Sequence, residues 1–157
     1  MPNHITVQIE PPRVFIDSGG FVALYDPNDA YHAKAVIHRT NYLDFPVQLF
    51  TSNLVVSETI SRLLQRKPPI PAAVEAAIAD FQKKGWITIL SVHGEQLDRS
   101  LEKLITVPRP RQSLVDASNL VLLQDERITR IFTFDSFYDT VTISRGYELI
   151  SPQREPR

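Results

Sequence analysis

Four carboxylates stand where a cation or a phosphate could be met. Asp17 ends the apolar run Val14-Phe15-Ile16, and Asp135 ends Ile131-Phe132-Thr133-Phe134. Glu58 lies within Leu54 to Leu64, and Asp116 follows Leu114-Val115. A short apolar run reads as a buried strand, and an acid where it stops lies at a sheet edge. Carboxylates crowded at one edge raise one another's pKa, and a divalent cation relieves the repulsion. The histidines are scattered and cysteine is absent, so the donor set is all oxygen and selects a hard ion, Mg²⁺ or Mn²⁺.

Each acid also has an ordinary structural role open to it. Asp17 suits a helix N-cap. Asp116 suits the first turn of a helix, where the macrodipole favours a negative charge. It also shares a helix face with Leu120 and Leu123, where an ionised group needs a partner. Glu58 has Arg62 at i+4 for a surface pair, although its neighbours Ser57, Thr59 and Ser61 are small, as around a pocket. Asp26, Asp29 and Asp44 have turn or cap settings. Five cations flank the acids: Arg62, Arg66 and Lys67 beyond Glu58, and Arg109 and Arg111 before Asp116. They read either as a rim that holds phosphates or as solubilising surface charge.

The positioning elements follow from pattern. Strands are expected over 13–17, 47–50, 86–92, 130–134 and 147–150. The glycines Gly19 and Gly20 precede a short helix over 21–25. Asn28 caps a helix through Ile37, and Thr51-Ser52 cap another over 53–66. Pro71 opens a helix closed by Lys83-Lys84-Gly85. Further helices run over 93–105 and 113–126, the last so apolar that it must be buried. Strands alternating with helices predict an α/β fold with a mainly parallel five-stranded sheet and helices on both faces. Ligand sites in such sheets lie outside the carboxyl ends of the strands. The four acids are expected to converge there within metal-bridging distance.

With 157 residues, 43% hydrophobic and 22% charged, the chain fits one domain with a real core. It divides into an N-terminal extension 1–12, a domain over 13–150 and a tail 151–157. A net charge of −1 excludes a globally basic nucleic-acid binder but not a local patch. There is no h-region and no run of about 20 apolar residues, so a cytoplasmic protein with no membrane contact is expected. Nucleotide-binding glycine motifs and a serine elbow are absent.

In their order and spacing the acids resemble the PIN-domain family, and within it the VapC-type toxin ribonucleases, over about Arg13 to Ile150. Val14 to Ser18 is similar to the opening strand and first acid, and Asp26 to His32 to the first interhelical turn. Ser57-Glu58 resembles the second acid and Leu114 to Ala117 the third. Thr133-Phe134-Asp135-Ser136-Phe137-Tyr138 resembles the terminal T-x-D-x-x-F segment, with Tyr138 where Phe is usual. The resemblance implies a three-layer PIN-like fold and metal-assisted endonucleolytic hydrolysis of RNA. Asp17 and Asp116 would be the main metal ligands, with Glu58 and Asp135 at a second metal or in the outer shell. It also implies an antitoxin partner and a homodimer, for which Phe21, Leu24 and Tyr25 offer an interface. Two other readings remain: a non-catalytic binding module, and a phosphohydrolase with Asp17 as nucleophile. The second lacks the further Asp expected two residues on, where Gly19 stands.

Overall fold

The computed structural model describes residues 10–40, 46–139, 141 and 146–150. The expected extension 1–12 (bar 10–12), Asp44 and the tail 151–157 lie outside these. The element order is β1 (Arg13–Ile16), α1 (Ser18–Tyr25), α2 (His32–His38), β2 (Gln48–Ser52), α3 (Asn53–Leu64), α4 (Pro71–Gln82), β3 (Thr88–Leu90), α5 (Gly94–Thr106), α6 (Leu114–Asp125), β4 (Arg130–Phe132) and β5 (Glu148–Ile150). The sheet order is β3-β2-β1-β4-β5 and every pairing is parallel. Phe15 pairs with Phe50 on one side and Ile131 on the other.

Central strands of a parallel sheet are covered on both faces and so read as continuous apolar runs. Val14, Phe15, Ile16, Ile131 and Phe132 are all buried. The chain leaves β1 in one direction to β2 and β3, then returns to lay β4 on the other side of β1. Right-handed crossovers then place α1 to α4 over one face and α5 with α6 over the other. Packing agrees: α1 meets α2, α3 and α4, while α5 packs on α6. The strand order reverses between β1 and β4, the kind of crevice where such folds place ligands.

Local chemistry shifts several expected boundaries. Helix α1 begins at Ser18, so Gly19 and Gly20 lie inside it. A Cβ on Gly20 would stand 2.6 Å from the Phe132 ring and 2.7 Å from the Phe132 carbonyl oxygen. Glycine is there because α1 lies against β4, not because the helix must wait. Gly20→Ala is accordingly expected to destabilise the protein by about 1–3 kcal/mol through overpacking, read as a lower urea midpoint. Gly19→Ala, whose Cβ would meet its nearest atoms at an ordinary 3.6 Å, is the control.

Helix α2 begins four residues after Asn28, at His32. The Asp26 carboxylate accepts from Asn28 N and the Asp29 carboxylate from Tyr31 N, both at 2.9 Å. These side chains hold the backbone in successive turns that compete with a helix. Ser52 caps α3 as expected, accepting from Val55 N at 3.1 Å, and Pro71 opens α4.

Phe21 and Leu24 are buried in the core. Tyr25 is half-buried, with its hydroxyl donating to Asp80 at 2.6 Å. The suggestion that these three form a dimer interface is therefore wrong: they join α1 to the layer beneath. Among the described residues no helix is long and apolar enough to cross a membrane.

Candidate functional site

Asp17 leaves β1 at the reversal of strand order and is the N-cap residue of α1, but its side chain caps nothing. It turns inward instead. Its Oδ1 accepts from Asn119 Nδ2 at 3.2 Å and its Oδ2 from the Thr133 hydroxyl at 3.0 Å. It is 1% exposed and no ion pair reaches it among the described residues. Burial, reinforced by the Asp116 carboxylate, pushes its pKa up to about 7.

Asp116 is buried near the start of α6. Its Oδ2 accepts from Ser113 N at 2.8 Å and the Ser113 hydroxyl at 2.9 Å, while Asp116 N donates to Ser113 Oγ. This is a reciprocal capping box, so the ordinary cap role is real. It occupies only one carboxylate oxygen fully. Oδ1 faces the Tyr138 hydroxyl at 3.5 Å. Burial raises the Asp116 pKa, with the charges of Asp135 and Glu58 adding to it.

Glu58 does not pair with Arg62. Ser18 stands between them, donating to Glu58 Oε2 at 2.5 Å and accepting from Arg62 Nη1 at 3.3 Å. Asp135 is exposed, three residues beyond β4, and its Oδ1 accepts from Phe137 N at 2.9 Å. Asp17, Glu58, Asp116 and Asp135 therefore share one electrostatic neighbourhood. The convergence is looser than expected from sequence. Among the described residues no three carboxylate or imidazole side chains are grouped so as to hold a metal ion. The cause is local: each carboxylate is turned to a nearby protein donor. The chemistry of the set, hard anionic oxygens with protonation favoured by burial, fits Mg²⁺ or Mn²⁺. Asp17 with Asp116 is the pair whose buried charges bear most directly on each other.

Three side chains to which the sequence assigned no role at the site complete it. Asn119, fully buried, donates from the same amide nitrogen to Asp17 and, at 2.8 Å, to the Tyr138 hydroxyl. Thr133 and Tyr138 are the other two. Burial and the charges of Asp17 and Asp116 push the Tyr138 pKa well up, so it remains a neutral phenol among acids. One signal was present. Asn119 is i+3 from Asp116 on a helix otherwise apolar enough to be buried, and a buried amide needs partners.

The flanking cations divide. Arg66 is committed to the turn 26–31, with Nε 2.7 Å from Asp26 and Nη2 3.2 Å from Asp29. Arg62 is exposed and forms no ion pair among the described residues. Lys67 is exposed beyond α3; Arg109, half-buried, and Arg111, exposed, lie in the loop before α6.

No family model matches this chain, and no curated protein matches it in sequence. Solved structures do match. The crystal structure of Mycobacterium tuberculosis VapC20, a sarcin-ricin loop cleaving toxin, aligns with a TM-score of 0.73 at 22% identity, over 88% of this chain and 99% of that one. PAE2754 from Pyrobaculum aerophilum aligns at 0.53 and 15% identity, over 89% and 92% of the two chains. The likeness is one of fold, and the fold of this protein is a VapC-type PIN-like α/β fold.

Proposed function

We propose that this protein is a divalent-metal-dependent endoribonuclease and the toxin of a toxin–antitoxin pair. The observation that carries the reading is Asp17: a buried carboxylate beside other acids, held in place at the strand reversal and supplied with no cation. Asp17 and Asp116 would hold Mg²⁺ or Mn²⁺, with Glu58 and Asp135 supporting it from the outer shell. When bound there, the ion would supply a polarised water and charge neutralisation at the phosphate. The chain's own residues do the positioning. Asn119 and Thr133 fix both oxygens of Asp17, Ser18 fixes Glu58, and Tyr138 links Asn119 to Asp116. Arg62 contacts substrate phosphate, with Lys67, Arg109 and Arg111 as further contacts. Because Arg66 is spent on Asp26 and Asp29, it supports the turn rather than the substrate.

RNA is the proposed substrate. Since VapC20 is described as cleaving the sarcin-ricin loop, a synthetic loop of that kind is the first RNA to try. A homodimer, a cognate antitoxin and a cytoplasmic setting belong to the same reading. The test uses purified protein with that RNA and with mixed single-stranded RNA. Cleavage is expected with Mn²⁺ or Mg²⁺ and none after EDTA. Mn²⁺ at about 100 times its dissociation constant should also stabilise the fold by about 2.7 kcal/mol, a melting shift of roughly 5–10 °C for a chain this size. Cleavage indifferent to EDTA sinks the metal assignment. No cleavage together with no thermal shift favours a non-catalytic binding module.

A further inference from the structure

We propose that Tyr31 is a stacking platform for one unpaired base of the RNA, seated beside the carboxylates with its phosphate against Arg62. The inference rests on the ribonuclease reading and adds a substrate-positioning residue to it. A small cavity of about 150 Å³ is lined by Gly19, Asp29, Tyr31, Arg62, Phe134 and Asp135. It therefore adjoins the acid site through Asp135 and Arg62. Pockets for whole drug-sized ligands start at roughly 300 Å³, so this one suits a single flat group.

Its aromatic wall is built from the core outward. Phe132 meets Phe134 edge-on at 5.6 Å, and Phe134 stacks on Tyr31 at 4.9 Å with 14° between the rings. Phe132 and Phe134 are buried, whereas Tyr31 is 36% exposed. The ladder thus ends in a ring that has one face supported from within and remains open to solvent. The backbone that carries the ring is also fixed: Tyr31 N donates to Asp29 Oδ1, Asp29 Oδ2 is held by Arg66, and the ring itself rests on Phe134. An immobile aromatic loses little freedom when a second ring stacks on it.

The cation beside it completes a nucleotide-sized arrangement. Among the described residues Arg62 donates only to the Ser18 hydroxyl, at 3.3 Å, and forms no ion pair. Aromatic faces for bases next to cations for the backbone are how single-stranded nucleic acid is gripped without reading its sequence. A protein partner using the same ring is the competing outcome.

The test is binding of a short single-stranded RNA bearing 2-aminopurine, with Asp17→Asn in every protein so that the strand stays intact. Stacking should quench the probe. Tyr31→Ala should abolish the quench and weaken binding by about 5- to 150-fold, the effect of losing one base–aromatic stack. Tyr31→Phe and Tyr31→Trp should keep both. Tyr31→Leu covers Phe134 without offering a π face and should behave like alanine, which separates stacking from a folding defect. The slope of log affinity against log salt should be unchanged by Tyr31→Ala and should shrink by about 0.7 in Arg62→Ala, as for one lost phosphate contact on a single strand. With Asp17 intact, Tyr31→Ala should raise KM far more than it lowers kcat. If protein with Asp17 intact cuts RNA but Tyr31→Ala leaves affinity, quench and KM unaltered, the platform is refuted and the nuclease stands. If that protein neither binds nor cuts RNA in Mn²⁺, the function itself fails and the platform falls with it.

Discussion

Asp17→Asn is expected to abolish RNA cleavage and, at pH 8, to make the protein more stable. Removing one preorganised electrostatic group at a reaction centre lowers turnover by about 10²–10³-fold, and an ion's main ligand should exceed that. Stability moves the other way because the native carboxylate is buried without a cation. An asparagine fills the same volume with no charge to desolvate. One of its two polar atoms becomes a donor, so either the Thr133 hydroxyl must rotate or the Asn119 amide must flip. Asn119 Oδ1, which has no partner among the described residues, is the atom a flip would present. The net gain should be a melting point several degrees higher without metal, at about 2–4 °C per kcal/mol for a chain of this length. A trade of activity for stability is a known signature of strained functional sites. An asparagine variant that is inactive and also less stable at pH 8 would mean that the carboxylate is held for structure.

The second large effect is a stability that declines as pH rises. In the unfolded chain Asp17 ionises near 3.8, and in the fold near 7. Between those values the folded state holds the extra proton. Stability is therefore greatest below the unfolded value and falls as pH climbs through the folded one. About three pH units at 1.36 kcal/mol each come to something on the order of 4 kcal/mol. Asp116, raised for the same reasons, pulls in the same direction. Urea midpoints taken in EDTA should fall from pH 5 to about 7 and level off above the folded value, and Asp17→Asn should flatten much of the slope. Saturating Mn²⁺ should flatten it too, since a cation favours the ionised form. A profile in EDTA that rises with pH would contradict the burial of these charges.

Most of the architecture could be read from pattern because it depends on burial. Val14 to Ile16 and Ile131 to Phe132 are apolar on consecutive residues, as strands covered on both faces must be, and the acids beyond them fall at the edge. What pattern could not supply depended on contacts between distant residues. Gly20 looks like a helix breaker until Phe132 is laid against it. Asn28 looks like a cap until the carboxylates of Asp26 and Asp29 take the backbone amides. Arg66 looks like a phosphate contact until those same two acids claim it. The acids themselves were legible as an ordered set, but not the direction each side chain turns. That direction is set by Ser18, Ser113, Asn119, Thr133 and the Phe137 amide, and of these only Ser113 with Asp116 and the Phe137 amide with Asp135 are close in sequence.

The hydrogen bond between Asp17 and Thr133 spans 116 residues of chain. The first acid is among the earliest parts of the domain to be synthesised, and its clamp among the last. At about 5–20 residues per second, Asp17 waits roughly 6–25 seconds for the hydroxyl that orients it. A chain that has passed Asp116 but not reached Arg130 carries three of the four acids but not the strand, β4, against which α1 rests. The order of synthesis therefore sets the order of assembly: Asp17 gains its Thr133 clamp only after β4 has been made.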